Sequence, residues 1–372
     1  MSDVEAIGQF NNITEPGLYH HEYWSYLPGH SVLMAARDEE KVIGVQALIA
    51  YYMNINGCKI LTGKSERTLV SSKYRGGDIW ANLMEICIEK GTNRGHEFFW
   101  GSNTSAVKAF KKVGFIHISG HRQRLLSAVS LSRVIKLMFS SNRPVPLSPI
   151  KAYRTLRSRN LEQGLEYMRL IASIYSTLFN AAHFHFQCFD SKDRFELENC
   201  PRSYDDIHNL YQEIRGDKCD LLWLHQDEAF CDWAFRLGGN PVKRWFAYEN
   251  GKLRAYLYGI FDNSLARILD FAAADADAFK CLLGCFHQTC IEEGQIFMEV
   301  TVNPLCPQQI IPIKCLKGNG FLAAYTGGNT VVKPGRYKDI KILGNPQCLY
   351  ITDLWSLLYN KRKVTSEIDK ES

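Results

Sequence analysis

The stretch SSKYRGGDIWANLMEICIEKG, residues 71–91, is the most informative part of the sequence, because it places a glycine-containing turn directly before a helical pattern. Apolar residues recur at helical spacing from Ile79 to Cys87, and Gly91 follows the last apolar turn. The start of a helix leaves backbone N–H groups free and carries partial positive charge. The stretch therefore favours a phosphate site, although a glycine pair before a helix also occurs as a purely structural turn.

The turn itself mixes favourable and unfavourable residues for an anion. Gly76 and Gly77 remove side chains that would block a ligand, and Arg75 could add a charge-assisted contact. Asp78 brings a negative charge that would repel a phosphate. Asp78 could instead act as the N-cap of the following helix and point away from the ligand.

Strands and a second helix flank this stretch. Apolar runs predict strands at residues 31–36, 42–53, 66–71 and 97–101, with the charged turn RDEEK between the first two. A short helix follows, with Asn103 as its N-cap and Gly114 at its end. The predicted order is β, β, β, loop, α, β, α, β.

The second half of the chain repeats this order. The segment YWSYLPGHSVLMAARDEEKVIGVQALI, residues 23–49, is similar to DWAFRLGGNPVKRWFAYENGKLRAYLYGI, residues 232–260. Trp24 matches Trp233, and the later phrase CLKGNGF is similar to FKKVGF. A repeat of this length predicts two copies of one α/β fold.

The segment LVSSKYRGGDIWANLMEICIEKG, followed by FFWGSNTSAVKAFKKVGF, resembles the GNAT (N-acetyltransferase) superfamily. The similarity is greatest to tandem-GNAT proteins of bacterial surface-polysaccharide gene sets. It covers residues 31–115, with a degenerate copy at 203–321. In that family a bulged strand precedes a loop of the pattern Arg/Gln-x-x-Gly-x-Gly/Ala, which binds the pyrophosphate of acetyl-CoA.

The resemblance implies a mixed α/β sheet fold, with two tandem GNAT-like folds joined by a helical middle segment. The expected units are an N-terminal GNAT-like domain with the acyl-CoA loop, a helical connector, a degenerate second GNAT-like domain, and a C-terminal helix with a charged tail. Their boundaries are residues 1–125, 126–185, 186–350 and 351–372.

The resemblance also assigns site residues. The expected acyl-CoA contacts are Leu69, Val70, Arg75, Gly76, Gly77, Asp78, Ile79, Trp80, Asn103 and Phe110. Asp78 and Trp80 stand where the family has small residues, and Phe110 stands where many members have a Tyr that protonates the leaving thiolate. Glu66 is a candidate general base, with a salt-bridged strand residue as the alternative.

Three functions agree with these residues. The first is an N-acyltransferase that moves acetyl or another acyl group from acyl-CoA to an amine, with an amino sugar or nucleotide-linked amino sugar as the implied acceptor. The second is a non-catalytic binding or scaffold protein on degenerate GNAT folds, which Asp78, Trp80 and Phe110 favour. The third is an aminoacyl or peptidyl transferase of related fold.

Composition sets broader limits. The chain has 372 residues, 46% hydrophobic and 22% charged, with a net charge of +5. Its 12 cysteines form no C-x-x-C pair, which favours reduced thiols in a cytoplasmic protein. No apolar stretch reaches the ~18 residues of a membrane span. His183 and His185 could share a strand face as metal ligands, but no third ligand has a suitable spacing, so no metal is expected. The net charge is only mildly basic, and no nucleic-acid partner is expected.

Overall fold

The computed structural model describes residues 26–102, 106–129, 192–217, 219–236, 241–262 and 265–356. The strands are β1 (Val32–Asp38), β2 (Lys41–Ile55), β3 (Cys58–Val70), β4 (Phe98–Ser102), β5 (Ile116–Ala128), β6 (Glu196–Glu198), β7 (Leu222–Leu224), β8 (Lys243–Glu249), β9 (Lys252–Asp262), β10 (Leu265–Ala273), β11 (Phe297–Val302) and β12 (Leu322–Pro334). The helices are α1 (Ile79–Asn93), α2 (Val107–Lys112), α3 (Tyr204–Arg215), α4 (Glu228–Arg236), α5 (Ala276–Glu292), α6 (Ile310–Gly318) and α7 (Ile340–Leu343).

All of these strands lie in one mixed sheet of order β1-β2-β3-β4-β12-β5-β11-β10-β9-β8-β6, with β7 paired to β2. The first half contributes β1–β5 and the second half contributes β8–β12. If β1–β5 of the first half are matched in order with β8–β12 of the second half, the strand order is the same when it is followed from β1 or from β8. The two halves therefore exchange their last strands, because β12 pairs with β4 and β5 pairs with β11.

The topology confirms a mixed α/β sheet in which the same sequence of elements occurs twice. Each half has one parallel strand pair, β3 with β4 and β10 with β11. β5 runs to Ala128, beyond the expected boundary at residue 125. The domain boundaries stay predictions, since most of the connector and of the C-terminal tail lie outside the described residues.

Several element ends differ from the sequence prediction. The third strand was expected at residues 66–71 but begins at Cys58, directly after a hairpin turn at Asn56 and Gly57. Both turn residues have positive φ, 54° and 91°, as a tight Asn-Gly hairpin requires. Helix α1 was expected to end before Gly91 but continues to Asn93.

The helices cover the sheet and bury its apolar side chains. α1 and α2 pack on one face of the first half, over a cluster that includes Leu48, Met84, Phe99 and Phe110. At Gly44 on β2, a Cβ atom would lie 3.1 Å from Ile79 Cγ2. The missing side chain thus lets the first turn of α1 sit close to the sheet, and this fixes the position of the helix start.

Candidate functional site

β3 and β4 part in the middle of the sheet. Their parallel pairing extends only from Thr62 with Phe98 to Lys64 with Trp100. Beyond Lys64, β3 pairs only with β2 among the described residues, and β4 pairs with β12. The space between residues 65–70 of β3 and residues 101–102 of β4 is called the β3–β4 gap below. An extended ligand with amide groups can pair with an open strand edge of this kind.

A β-bulge shapes the β3 side of the gap. Glu66 pairs with Ala47 and Leu69 pairs with Val45, so the two residues between Glu66 and Leu69 face the single residue Gln46. The additional residue disrupts the ladder and leaves backbone groups without a strand partner. The bulge expected from the family resemblance is present, and Leu69 and Val70 follow it as half-buried residues at the end of the strand.

The glycine loop opens to solvent at the end of the gap. A 3₁₀ turn over Ser72–Tyr74 is followed by Arg75 in extended conformation, and the Arg75 Nε donates to the Val70 carbonyl at 2.9 Å. Gly76 has a φ of +92° and no heavy atom within 4 Å of the place where its Cβ would stand. A bulky anion can therefore approach this backbone.

Helix α1 begins beside this loop with its amide groups unused. Asp78 occupies the N-cap position, but its side chain accepts no hydrogen bond from the helix. Among the residues that the structure describes, no acceptor is found for the backbone N–H groups of Ile79 and Trp80. The predicted position of Asp78 is correct, but the cap bond is not formed, and both the carboxylate and the helix N-terminus stay available to a ligand.

Trp80 and Phe110 form the helix-side wall of the site. The two rings meet edge to face with centroids 5.1 Å apart, and Phe110 meets Phe115 in the same way at 4.9 Å. Trp80 is half-buried and Phe110 is buried. Trp80 therefore packs inward against the sheet, although a small residue was the family pattern at this position, and Phe110 offers no proton.

Gln46, a buried residue of β2, joins this wall to the bulge. Its Oε1 accepts from Trp80 Nε1 at 3.1 Å and from Thr68 Oγ1 at 2.6 Å. Its Nε2 lies 3.0 Å from Ser65 Oγ. The sequence prediction missed Gln46; the available signal was a single polar residue inside the apolar run VIGVQALIAYY, because buried polar groups need partners.

Glu66 lies on the opposite face of β3 and forms an ion pair with Lys64. The Lys64 side chain is 1% exposed and that of Glu66 is 18% exposed. The Lys64 ammonium also lies over the rings of Tyr51 and Trp100, at 5.6 and 5.4 Å from their centroids. This environment favours the salt-bridged alternative for Glu66, and its role as a base stays a prediction.

Two predicted features lie outside the described residues, Asn103 and the pair His183 and His185. Helix α2 begins at Val107 with Ala106 as its N-cap residue. The prediction of Asn103 as the N-cap is therefore wrong, because the first helical turn starts three residues later than that cap requires. Across the described part of the chain, no group of three His, Cys, Asp or Glu side chains could hold a metal ion. In the same ranges, no helix is both long and apolar enough to cross a membrane.

Comparison with known proteins supports the fold. No protein-family model matches the chain, and no curated protein matches its sequence. A solved GCN5-related N-acetyltransferase from Anabaena variabilis matches with a TM-score of 0.53 and 10% identity, over 89% of this chain and 69% of its own. A conserved protein of unknown function from Enterococcus faecalis, a probable N-acyltransferase, matches with a TM-score of 0.52 and 8% identity, over 91% and 70%.

The chain therefore has the fold of the GCN5-related N-acetyltransferases. Its order of strands makes it a tandem form of that fold, in which two copies share one sheet and exchange their last strands.

Proposed function

We propose that the protein is an acyl-CoA-dependent N-acyltransferase that binds its donor in the β3–β4 gap of the first half. The observation that carries the proposal is the continuity of this gap with an open glycine loop and an unused helix N-terminus. The pyrophosphate would lie at the start of α1 with Arg75 beside it. From Val70 to Ser65 the strand spans ~17 Å, comparable to the reach of an extended pantetheine arm.

The reaction needs little covalent machinery. The amine nitrogen attacks the thioester carbonyl, the new C–N bond forms, and the C–S bond breaks with its electron pair on sulfur. Backbone N–H groups at the bulge, between Glu66 and Leu69, would bind the carbonyl oxygen as it gains charge, and those of Leu69 and Val70 would pair with the pantetheine amides on the loop side. Holding donor and amine together supplies much of the remaining rate enhancement. A base or a water molecule takes the amine proton, and the Lys64 ion pair argues for water rather than Glu66.

The proposed acceptor is an amino sugar, free or linked to a nucleotide, in the cytoplasm. Its support is the resemblance to tandem proteins of polysaccharide gene sets. A panel of amines with acetyl-CoA, assayed by release of the CoA thiol, tests this choice. Turnover of amino sugars above simple amines would support it, and turnover of amino acids or peptides alone would replace it.

Thermal unfolding with ligand tests the donor site independently of any acceptor. A ligand that binds only the folded state stabilises it by ~2.7 kcal/mol at a hundredfold excess over Kd. Acetyl-CoA and CoA should both raise the melting temperature, and Arg75→Ala should reduce the shift. The donor assignment fails if acetyl-CoA, CoA and longer acyl-CoAs all leave the melting curve unmoved.

A second candidate is a non-catalytic CoA-binding protein. The exposed carboxylate of Asp78 at the helix start and the lack of a proton donor at Phe110 favour it. Binding of acetyl-CoA without turnover of any amine in the panel would support this candidate over the enzyme.

A further inference from the structure

Ser65 is the first residue of β3 beyond the last residue that pairs with β4, and it therefore lies at the narrow end of the β3–β4 gap. Its side chain points to the same face of the sheet as Gln46 and Trp80, since Gln46 contacts both. The side chain is half-buried, so part of it remains accessible.

The hydrogen bonds of Gln46 determine which of its two side-chain amide atoms contacts Ser65. An indole N–H can only donate, so the Gln46 atom next to Trp80 Nε1 must be the oxygen. The Gln46 amide nitrogen then donates to Ser65 Oγ at 3.0 Å. Within the described ranges, no acceptor is found for the Ser65 hydroxyl proton, which leaves it available to a ligand.

Ser65 borders the same small space as Phe110. A Cβ atom placed on Gly101 of β4 would lie 3.2 Å from Val331 Cγ2, 3.8 Å from Ser65 Cβ and 3.8 Å from Phe110 Cζ. Ser65 and Phe110 therefore approach the same point of β4, where the missing side chain at Gly101 leaves room for no more than one small group. The neighbouring hydroxyl of Thr68 is already committed to Gln46 Oε1 at 2.6 Å.

We propose that the Ser65 hydroxyl donates a hydrogen bond to the CoA sulfur when the C–S bond breaks; this proposal rests on the proposed function. The electron pair of the broken bond goes to sulfur, and the hydrogen bond stabilises the resulting negative charge. Ser65 keeps its proton throughout, because a serine alkoxide is far more basic than a thiolate. The thiolate then takes a proton from water after it leaves. Ser65 thereby supplies the donor that Phe110 lacks.

Binding of CoA and of desulfo-CoA tests this role without knowledge of the acceptor. Calorimetry from about pH 7.5 to about pH 10 follows CoA from the thiol towards the thiolate, because a cysteine thiol has an ordinary pKa of about 8.5 and an alkyl thiol such as that of CoA has a somewhat higher one. We expect the wild type to bind CoA about fivefold more tightly than desulfo-CoA, because hydrogen bonds to charged groups are the stronger ones. Ser65→Ala should abolish this preference, and Ser65→Ala with Phe110→Tyr should restore part of it.

Thr68→Ala is the matched control, since it removes the other hydroxyl group on Gln46 and should leave the preference unchanged. If Ser65 only supports Gln46, then Ser65→Ala weakens CoA and desulfo-CoA equally, and the proposal is overturned. A wild type that binds both ligands equally also overturns it, while the donor site stands. Binding of neither ligand to the wild type refutes the donor site itself, and with it the role of Ser65.

Discussion

The two halves of the molecule join strand to helix in different ways. In the first half, residues 71–78 connect β3 to α1, and no side chain caps the helix. In the second half, only residues 274 and 275 connect β10 to α5. Asp275 Oδ1 accepts from the backbone N–H groups of Asp277 at 2.8 Å and Ala278 at 2.9 Å, and Arg194 pairs with the Asp275 carboxylate. The start of α5 is therefore satisfied by the chain's own side chain.

The two halves also differ in the space beyond each parallel strand pair. β10 and β11 part after Ile268, as β3 and β4 part after Lys64. In the second half, residues 349–352 bridge the diverging ends, because Thr352 Oγ1 donates to Asp270 at 2.6 Å and Asn303 Nδ2 donates to the Leu349 carbonyl at 2.8 Å. Among the residues that the structure describes, the gap of the first half is open, whereas residues 349–352 fill the gap of the second half.

The largest effect is expected in the number of acetyl-CoA molecules that one chain binds. Calorimetric titration with acetyl-CoA should give one molecule bound per chain, because only the first half keeps both an open loop and an open gap. A stoichiometry of two would mean that residues 349–352 leave the second gap to a ligand. That result would remove the distinction between the halves.

Asp270 gives the closed half a pH dependence. Burial is the main cause that raises its pKa, to about 6, against hydrogen bonds from Thr352, Tyr256 and Gln226 that lower it. The folded state then holds this proton at a higher pH than the unfolded state does, so stability falls as pH rises through this window. Relative to Asp270→Asn, the wild type should lose about 3 kcal/mol of unfolding free energy between pH ~3 and ~7. Urea unfolding of both proteins across this range measures it, and a constant difference would contradict it.

Glu66 lies in the first half at the position that corresponds to Asp270, two residues beyond the last residue of the parallel strand pair. Glu66→Gln leaves the buried Lys64 ammonium without its charged partner, which should cost about 3 kcal/mol of unfolding free energy. Glu66→Gln combined with Lys64→Met should recover most of this loss. A fall in kcat of roughly a hundredfold or more with unchanged stability would instead identify Glu66 as the general base.

The features that the sequence could predict are local ones. The loop, its glycines and the helix start at Ile79 follow from turn chemistry and apolar spacing within a few residues. The Asn-Gly hairpin at residues 56–57 is equally local, because an Asn-Gly pair between apolar runs favours a tight hairpin turn. The exchange of β5 and β12 could not be predicted, because apolar alternation indicates a strand but not its partner. The contact of Ser65 with Gln46 likewise depends on pairing between distant parts of the chain.

The two arginines beside the helix starts provide a matched comparison. Arg75→Ala should weaken CoA binding about tenfold, because it removes a charge-assisted contact with the pyrophosphate. Arg194→Ala removes the ion pairs with Glu249 and Asp275 at the closed helix start and should leave CoA affinity unchanged. Calorimetry of both variants checks the pair. Equal effects at the two positions would indicate a general effect of net charge rather than a site.

The smallest effects are expected at the two N-cap aspartates, where the same substitution should act on different properties. Asp275→Ala removes a side chain that accepts two backbone N–H groups, so it should cost about 1 kcal/mol of stability and leave CoA affinity unchanged. Asp78→Ala removes no cap bond, so stability should change little. It also removes a negative charge next to the proposed pyrophosphate, and CoA binding should tighten about fivefold.

Urea unfolding and calorimetry of the two variants distinguish a donor site that binds CoA in the natural chain from one that no longer does. Suppose that CoA binding is unmeasurable in the wild type and appears only in Asp78→Ala. The carboxylate then blocks the donor in the natural chain, and both the enzyme and the CoA-binding candidates lose their ligand. If Asp78→Ala binds CoA as the wild type does, the carboxylate points away from the ligand in solution. The Asp78 carboxylate would then not repel a pyrophosphate at the free N–H groups of α1. Arg75→Ala would remain the test of whether a pyrophosphate binds there.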